Sequence, residues 1–183
     1  MNNKEMKECF IGAKKDDAQG KKHRGLLIMK SNQKLAEDYI VKAKQNLEFC
    51  ELYKNRKVDY KLPEEWFYTL YYCALAILSK FGVESRSQRC TGVFLKYIKD
   101  KGLIDYNDEF IERITVHRNK EEVSDVDRRE SARYGANIKI PEVEQEYDKM
   151  MMLCRDAIAQ CEEIVFSSDE CEIPEEVRSL NSR

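Results

Sequence analysis

The stretch "WFYTLYYCALAILSKFGVESRSQRC", residues 66–90, decides the fold. Its first thirteen residues, 66–78, are apolar or aromatic except for Thr69. A helix that is apolar nearly all round belongs at the centre of a helical body, with neighbours on several sides. The run is too short to cross a bilayer, which takes about 20 apolar residues. It also carries the hydroxyls of Tyr68, Tyr71 and Tyr72, which would need partners in lipid. Gly82 ends the helix in the position that favours a left-handed backbone. The chain then turns to Ser85, Arg86, Ser87, Gln88 and Arg89. That segment is either the start of a helix lining a basic site or a solvated turn.

Upstream, "LPEEW" places Pro63 in the first helical turn, with Glu64 and Glu65 complementing the positive end of the dipole. An earlier helix is expected after Ser31 or Asn32, both capping residues, with Leu35, Tyr39, Ala43, Leu47 and Cys50 forming one face. "KNRKVDYK" breaks it. Downstream, Ser85 or Ser87 caps a helix with Cys90, Val93, Phe94, Tyr97 and Ile98 inward, which Gly102 stops. "NDEFIERITVHR" starts another, capped by Asn107, with Phe110, Ile111 and Ile114 inward.

From residue 119 to 133, nine of fifteen residues are charged, so the segment either extends a helix into solvent or loops out. Gly135 and Pro141 bracket a break. The last helix carries a narrow stripe of Val143, Tyr147, Met150, Cys154, Ile158, Cys161 and Val165 at steps of three and four. No repeat and no alternating strand pattern appears. The expected fold is all-α: an antiparallel four- to five-helix up-and-down bundle over residues 31–167. Residues 1–30, with eight Lys/Arg against four acids around "KKDDAQGKKHRG", read as a mobile N-terminal arm. Residues 168–183 read as a mobile acidic tail.

Composition agrees with this class. Of 183 residues, 36% are charged and 42% hydrophobic, and only seven Gly and three Pro occur, which disfavours a turn-rich sandwich or barrel. The formal net charge of −2 restricts any polyanion site to a local basic patch. Seven scattered cysteines without a Cys-x-x-Cys pair, and without an apolar leader, read as reduced core thiols of a cytoplasmic protein. With two histidines and no Glu-x-x-His pair, neither a metal nor another cofactor is expected. There is no Gly-rich phosphate loop and no nucleophile elbow.

Arginine is what remains. Arg86 and Arg89 follow the central helix; Arg113 stands four residues before His117; Arg128, Arg129 and Arg133 precede Tyr134. Guanidinium forks grip phosphates, and a neighbouring aromatic can stack on a base. A His with an Arg one helical turn away has the parts for metal-free RNA cleavage, the imidazole moving the 2′-hydroxyl proton and the guanidinium steadying charge on phosphorus. The bland reading is that these arginines pair with Glu112, Asp125, Asp127 and Glu130 on a solvated face, with Tyr134 half-buried packing.

The order of these segments resembles a known family. "KLAEDYIVKAKQNLEFCELYK", "EEWFYTLYYCALAILSKFGVESRSQRCTGVFLKYI" and "RRESARYG" together are similar to the HEPN domain family, over about residues 25–167. Tyr71-Tyr72-Cys73-Ala74, then Gly82-Val83 and Ser85, then Arg89-Cys90-Thr91 carry the likeness. The resemblance implies a helical bundle, commonly a homodimer with a groove between protomers, that binds nucleotides or RNA. Many such proteins are metal-independent RNase toxins or defence proteins, often partnered by a nucleotidyltransferase-type antitoxin. The resemblance sits beside the reading of Arg113 and His117 as the catalytic candidates and of Arg86, Arg89, Arg128, Arg129, Arg133 and Tyr134 as the RNA or nucleotide contacts. The chain departs from the family's Arg-to-His spacing, since three residues separate Arg113 from His117, and it has Gln88 where relatives often have histidine. The competing function is a non-catalytic helical module for protein interaction or self-association, favoured by the near-neutral charge and the narrow stripe of the last helix.

Overall fold

The computed structural model describes residues 3–115, 125–135, 140–168 and 171–180. Among them the chain is mostly helical, with one small two-stranded sheet. In order come α1 (Asn3–Ala18), β1 (Leu26–Ile28), α2 (Gln33–Arg56), α3 (Leu62–Lys80), β2 (Val83–Ser85) and α4 (Gln88–Asp100). Then follow α5 (Asp108–Ile114), α6 (Asp125–Tyr134), α7 (Pro141–Phe166) and the one-turn α8 (Glu175–Arg178).

The central helix is α3, flanked by α2 and α7, with α4, α5 and α6 also against it. Leu70, Cys73, Ala74, Ala76, Ile77 and Leu78 are all buried, as the apolar run requires. Its polar interruptions are satisfied within the helix: Thr69 Oγ1 donates to Glu65 O (2.8 Å), and Ser79 Oγ donates to Leu75 O (2.9 Å). The stripe of α7 is consumed inside the chain, where Val143, Met150, Cys154, Ile158, Cys161 and Val165 are buried. No helix of the described residues is long and apolar enough to cross a membrane.

Side-chain oxygens cap three helices, each satisfying an otherwise orphaned backbone N–H. Asn32 accepts from Leu35 N in α2, Ser87 from Cys90 N in α4, and Asn107 from Glu109 N in α5. Gly82 has φ +68°, and a Cβ there would stand 2.7 Å from Met29 O and 2.9 Å from Ser31 N. The turn after α3 therefore needs glycine for both its dihedral and its space. It sends the chain into β2, which pairs antiparallel with β1 through Leu26↔Ser85, Leu27↔Glu84 and Ile28↔Val83.

Several expectations are corrected. Residues 1–30 are not an arm without a helical stripe: α1 buries Met6, Cys9, Phe10 and Ala13 against the body, packing on α4 and β1. Four buried positions interleaved with lysines and acids make a stripe too thin to stand out by composition. Strands are present, each three residues long and so too short to show alternation. On α2 the buried line is Ala36, Ile40, Ala43 and Cys50, and Leu35 is exposed. The tail folds back, with Ile173 and Val177 buried. Finally, Cys9 and Cys90 form a disulfide between α1 and α4; it pairs residues 81 apart in sequence, which no local spacing reveals. Cys50, Cys73, Cys154 and Cys161 are buried and form no disulfide. Of the charged segment, residues 125–134 are helical, and residues 116–124 lie outside the described part.

Candidate nucleic-acid interface

One face of α3 is only half covered. Tyr68, Tyr71 and Tyr72, at helical spacings of three and four, lie partly exposed beside the buried Phe67 and Leu70. Tyr39 of α2 stacks on Tyr72 (centroids 6.0 Å apart, planes at 19°), and Tyr72 stacks on Tyr68 (5.9 Å, 29°). Phe67 meets Tyr68 edge-on at 5.3 Å and stacks on Tyr71 at 5.7 Å. The result is a continuous row of rings running from α2 across α3.

A cation stands at each end. Lys42 Nζ lies 5.4 Å from the Tyr39 centroid and 5.5 Å from that of Tyr72. At the other end the Arg129 guanidinium of α6 lies 4.4 Å over Phe67 and 5.8 Å from Tyr68. Both are cation–π contacts drawn by the negative ring faces. Arg129 Nε is buried and has no hydrogen-bond partner among the described residues; the nearest carboxylate to the guanidinium, on Glu130, is 3.9 Å from Nη2. One turn further on, Arg133 Nη1 stands 3.6 Å from Oε1 of Glu64 in the first turn of α3, whose Oε2 also meets Lys61, just before the helix, at 3.4 Å.

A chain of hydroxyls borders the row. Tyr71 Oη is 3.5 Å from Thr91 Oγ1, which is 2.7 Å from Ser85 Oγ and donates to Ser87 O (3.0 Å). Burial pushes the Tyr39, Tyr71 and Tyr72 phenols up, so each is neutral near pH 7 and can lie beside a phosphate without repulsion. Beyond Tyr39 the surface hollows into a groove of about 540 Å³, lined by Lys30, Asn32, Tyr39, Leu75, Ser85 and Arg86 among others.

The structure thus brings Arg129 and Arg133 together along α3, and leaves Arg86, Arg89 and Arg113 elsewhere. Arg86 sits at the sheet end of the groove, its Nε donating to Glu84 Oε1 (2.7 Å), which His23 Nε2 also approaches (3.3 Å). Burial raises the Glu84 carboxyl, but these two hydrogen bonds outweigh it and the net shift is down. Arg89 is half-buried at the start of α4. Arg113 is held by its own helix, Nε and Nη2 donating to Glu109 Oε1 at 3.1 and 2.8 Å. Gln88 Nε2 donates to Ile114 O (3.2 Å), tying α4 to the end of α5. His117 and the side chain of Arg128 lie outside the described part. Tyr134, in the last turn of α6, is 81% exposed, so the half-buried packing of the bland reading does not hold for it. No group of three or more His, Cys, Asp or Glu suited to a metal occurs among the described residues.

Sequence reasoning assigned the ring row to the core and missed Lys42. The available signal was the Tyr68/Tyr71/Tyr72 spacing, which puts three hydroxyl-bearing rings on one face of an otherwise apolar helix. Comparison with family models, curated proteins and solved structures found no match to this chain.

Proposed function

We propose that the chain is an HEPN-like protein, an antiparallel helical bundle that binds RNA or nucleotides along the row of rings on α3. The observation that carries the reading is the row itself, exposed on one side and closed at each end by Lys42 and Arg129. Bases stack on such rings whatever their identity, and the flanking cations neutralise the phosphates between them. On this reading the protein works as a homodimer, in a toxin–antitoxin or defence setting with a nucleotidyltransferase-type partner, and the Cys9–Cys90 disulfide speaks against the reduced-thiol argument for a cytoplasmic place. Arg113 is already forked onto Glu109, so the geometry supports binding ahead of cleavage.

The test is binding of a short single-stranded RNA across a salt series. Tyr72→Leu is expected to weaken binding by about 1–3 kcal/mol, the value of one stacked base. Lys42→Ala is expected to shed about one unit of salt slope, the mark of one lost phosphate contact. Lys42 is exposed, so its removal leaves the fold alone. Binding that ignores both substitutions removes the ring row as the site. Full RNase activity in a His117→Ala variant, should the wild type cleave, clears that residue of a catalytic role.

A further inference from the structure

The C-terminal segment is seated on the body by a specific set of contacts. Val177 is 0% exposed and Ile173 is buried, while Cys171 and Leu180 pack partly buried against the same core. Between these apolar anchors, Glu176 Oε1 accepts from Tyr97 Oη (2.5 Å) and pairs with Lys101 Nζ (2.8 Å), both on or just after α4. Lys101 also lies 5.7 Å from the Tyr97 ring, so ring, ammonium and carboxylate form one closed set. The hydrogen bonds from Lys101 and Tyr97 hold the Glu176 carboxyl below its usual range, and the charge of Lys7 adds to them. Lys14 Nζ of α1 reaches Leu180 O at 3.5 Å.

Two features distinguish this seat from the packing of the longer helices. The seated element is a single helical turn of four residues, which has little helical stability of its own. Alongside it, α1 opens a hollow of about 580 Å³ lined by Ile11, Lys14, Lys15 and Ala18 together with Ser179 and Leu180. Ile11 is 57% exposed there. The surface therefore offers more apolar contact than the segment takes up, with Lys15 at its edge.

We propose that the surface where α1 meets the end of α4 is a docking site for an acidic amphipathic peptide of a partner protein, which the chain's own residues 171–180 occupy in cis until the partner displaces them. The partner segment has the chemistry of "IPEEVRSL": adjacent acids, an apolar residue directly after the second acid, and another three positions on. Its carboxylate takes the Tyr97 and Lys101 contacts, its first apolar residue the Val177 seat, and its continuation the hollow beside Lys14 and Lys15.

The test uses the full chain and a fluorescent peptide carrying residues 171–180 with Cys171→Ser. A variant with Glu176→Lys and Val177→Asp releases the tail. It is expected to bind the peptide about tenfold or more tightly than the wild type, because the tethered tail competes at high effective concentration. Adding Lys101→Glu to the released variant should abolish binding, and a peptide with its Glu176 changed to Lys should restore it. A second measurement needs no tail mutation: in nitrogen-labelled wild type, peptide at the order of millimolar should move the Val177 and Leu180 amide signals to unfolded-chain positions. Equal binding by released and wild-type chains, or tail signals that stay fixed as peptide is added, overturns the proposal. So does a concentration-dependent dimer that is lost on tail release, which would give the site to the tail of a second copy.

Discussion

Glu64 and Glu65 are neighbours in the first turn of α3, yet they meet different surroundings. Glu64 has Lys61 at 3.4 Å and Arg133 at 3.6 Å. The Glu65 carboxyl is pushed up to about 6, first by burial and then by the charge of Glu64, against a weaker pull from Lys61. A carboxyl with a raised folded-state pKa binds its proton more tightly in the folded chain than in the unfolded one. It therefore costs no stability below its ordinary value of 4.5, costs progressively more as pH rises to about 6, and costs a constant amount above that. Glu65→Gln removes the cost. The side chain is half-exposed, so water screens the effect, and the expected gain is about 1 kcal/mol at neutral pH. Urea unfolding of both proteins at several pH values checks this. Curves that differ equally at every pH would mean that the change acts through something other than ionisation.

At the scale of elements, the turn after α3 and the turn after α4 make a controlled pair. Gly82 and Gly102 have φ of +68° and +69°. A Cβ at Gly102 meets nothing within 4 Å, whereas at Gly82 it meets the backbone of Met29 and Ser31. Gly102→Ala should therefore cost only the left-handed dihedral, about 1 kcal/mol. Gly82→Ala should cost on the order of 2 kcal/mol or more, since the β1–α2 connection must also move. Ser87→Ala should cost about 1 kcal/mol through the lost α4 cap. Denaturant midpoints rank the three, and a Gly102 variant as unstable as the Gly82 one would show that space is not what separates them.

The same elements show what local chemistry makes legible. α3, its capping turn and the α7 stripe are readable because their signals, an apolar run, a glycine and apolar steps of three and four, lie within one element. α1 is not, since its four buried positions sit among charges and gain meaning only against α4 and β1. The ring row is half readable: spacing puts Tyr68, Tyr71 and Tyr72 together, but hydropathy cannot say that no helix of the described residues covers this face. The cations belong to tertiary structure. Nothing near Arg129 in sequence announces Phe67, and Lys42 shares the ring row with Tyr72 only because α2 packs along α3. Arg113 is the opposite case, since its partner Glu109 stands one turn away and the ion pair is visible in the sequence.

For the whole molecule, the long-range tie is the disulfide from Cys9 to Cys90, whose partners are 81 positions apart. It closes a loop that takes in α1, β1, α2, α3 and β2, and it fixes α1 to the start of α4 beside the Ser87 cap and the Thr91 hydroxyl. Closing so long a loop removes much of the unfolded chain's freedom, which sets an expected contribution of about 3–4 kcal/mol. The prediction is a thermodynamic cycle under non-reducing conditions. Cys9→Ser and Cys90→Ser should each lower unfolding stability by about that amount, and the double variant should be no worse than either, because the first substitution has already opened the loop. A reductant should lower the wild type most of the way towards the variants, short of them by the packing loss of the substitution, and leave the variants unmoved. Both cysteines are buried, so part of any loss belongs to packing, and the reductant arm separates the two: it breaks the tie and keeps both sulfurs in place. Single losses that add in the double variant, with a wild type indifferent to reductant, would mean that the two sulfurs serve as core atoms and that packing alone keeps α1 on the body.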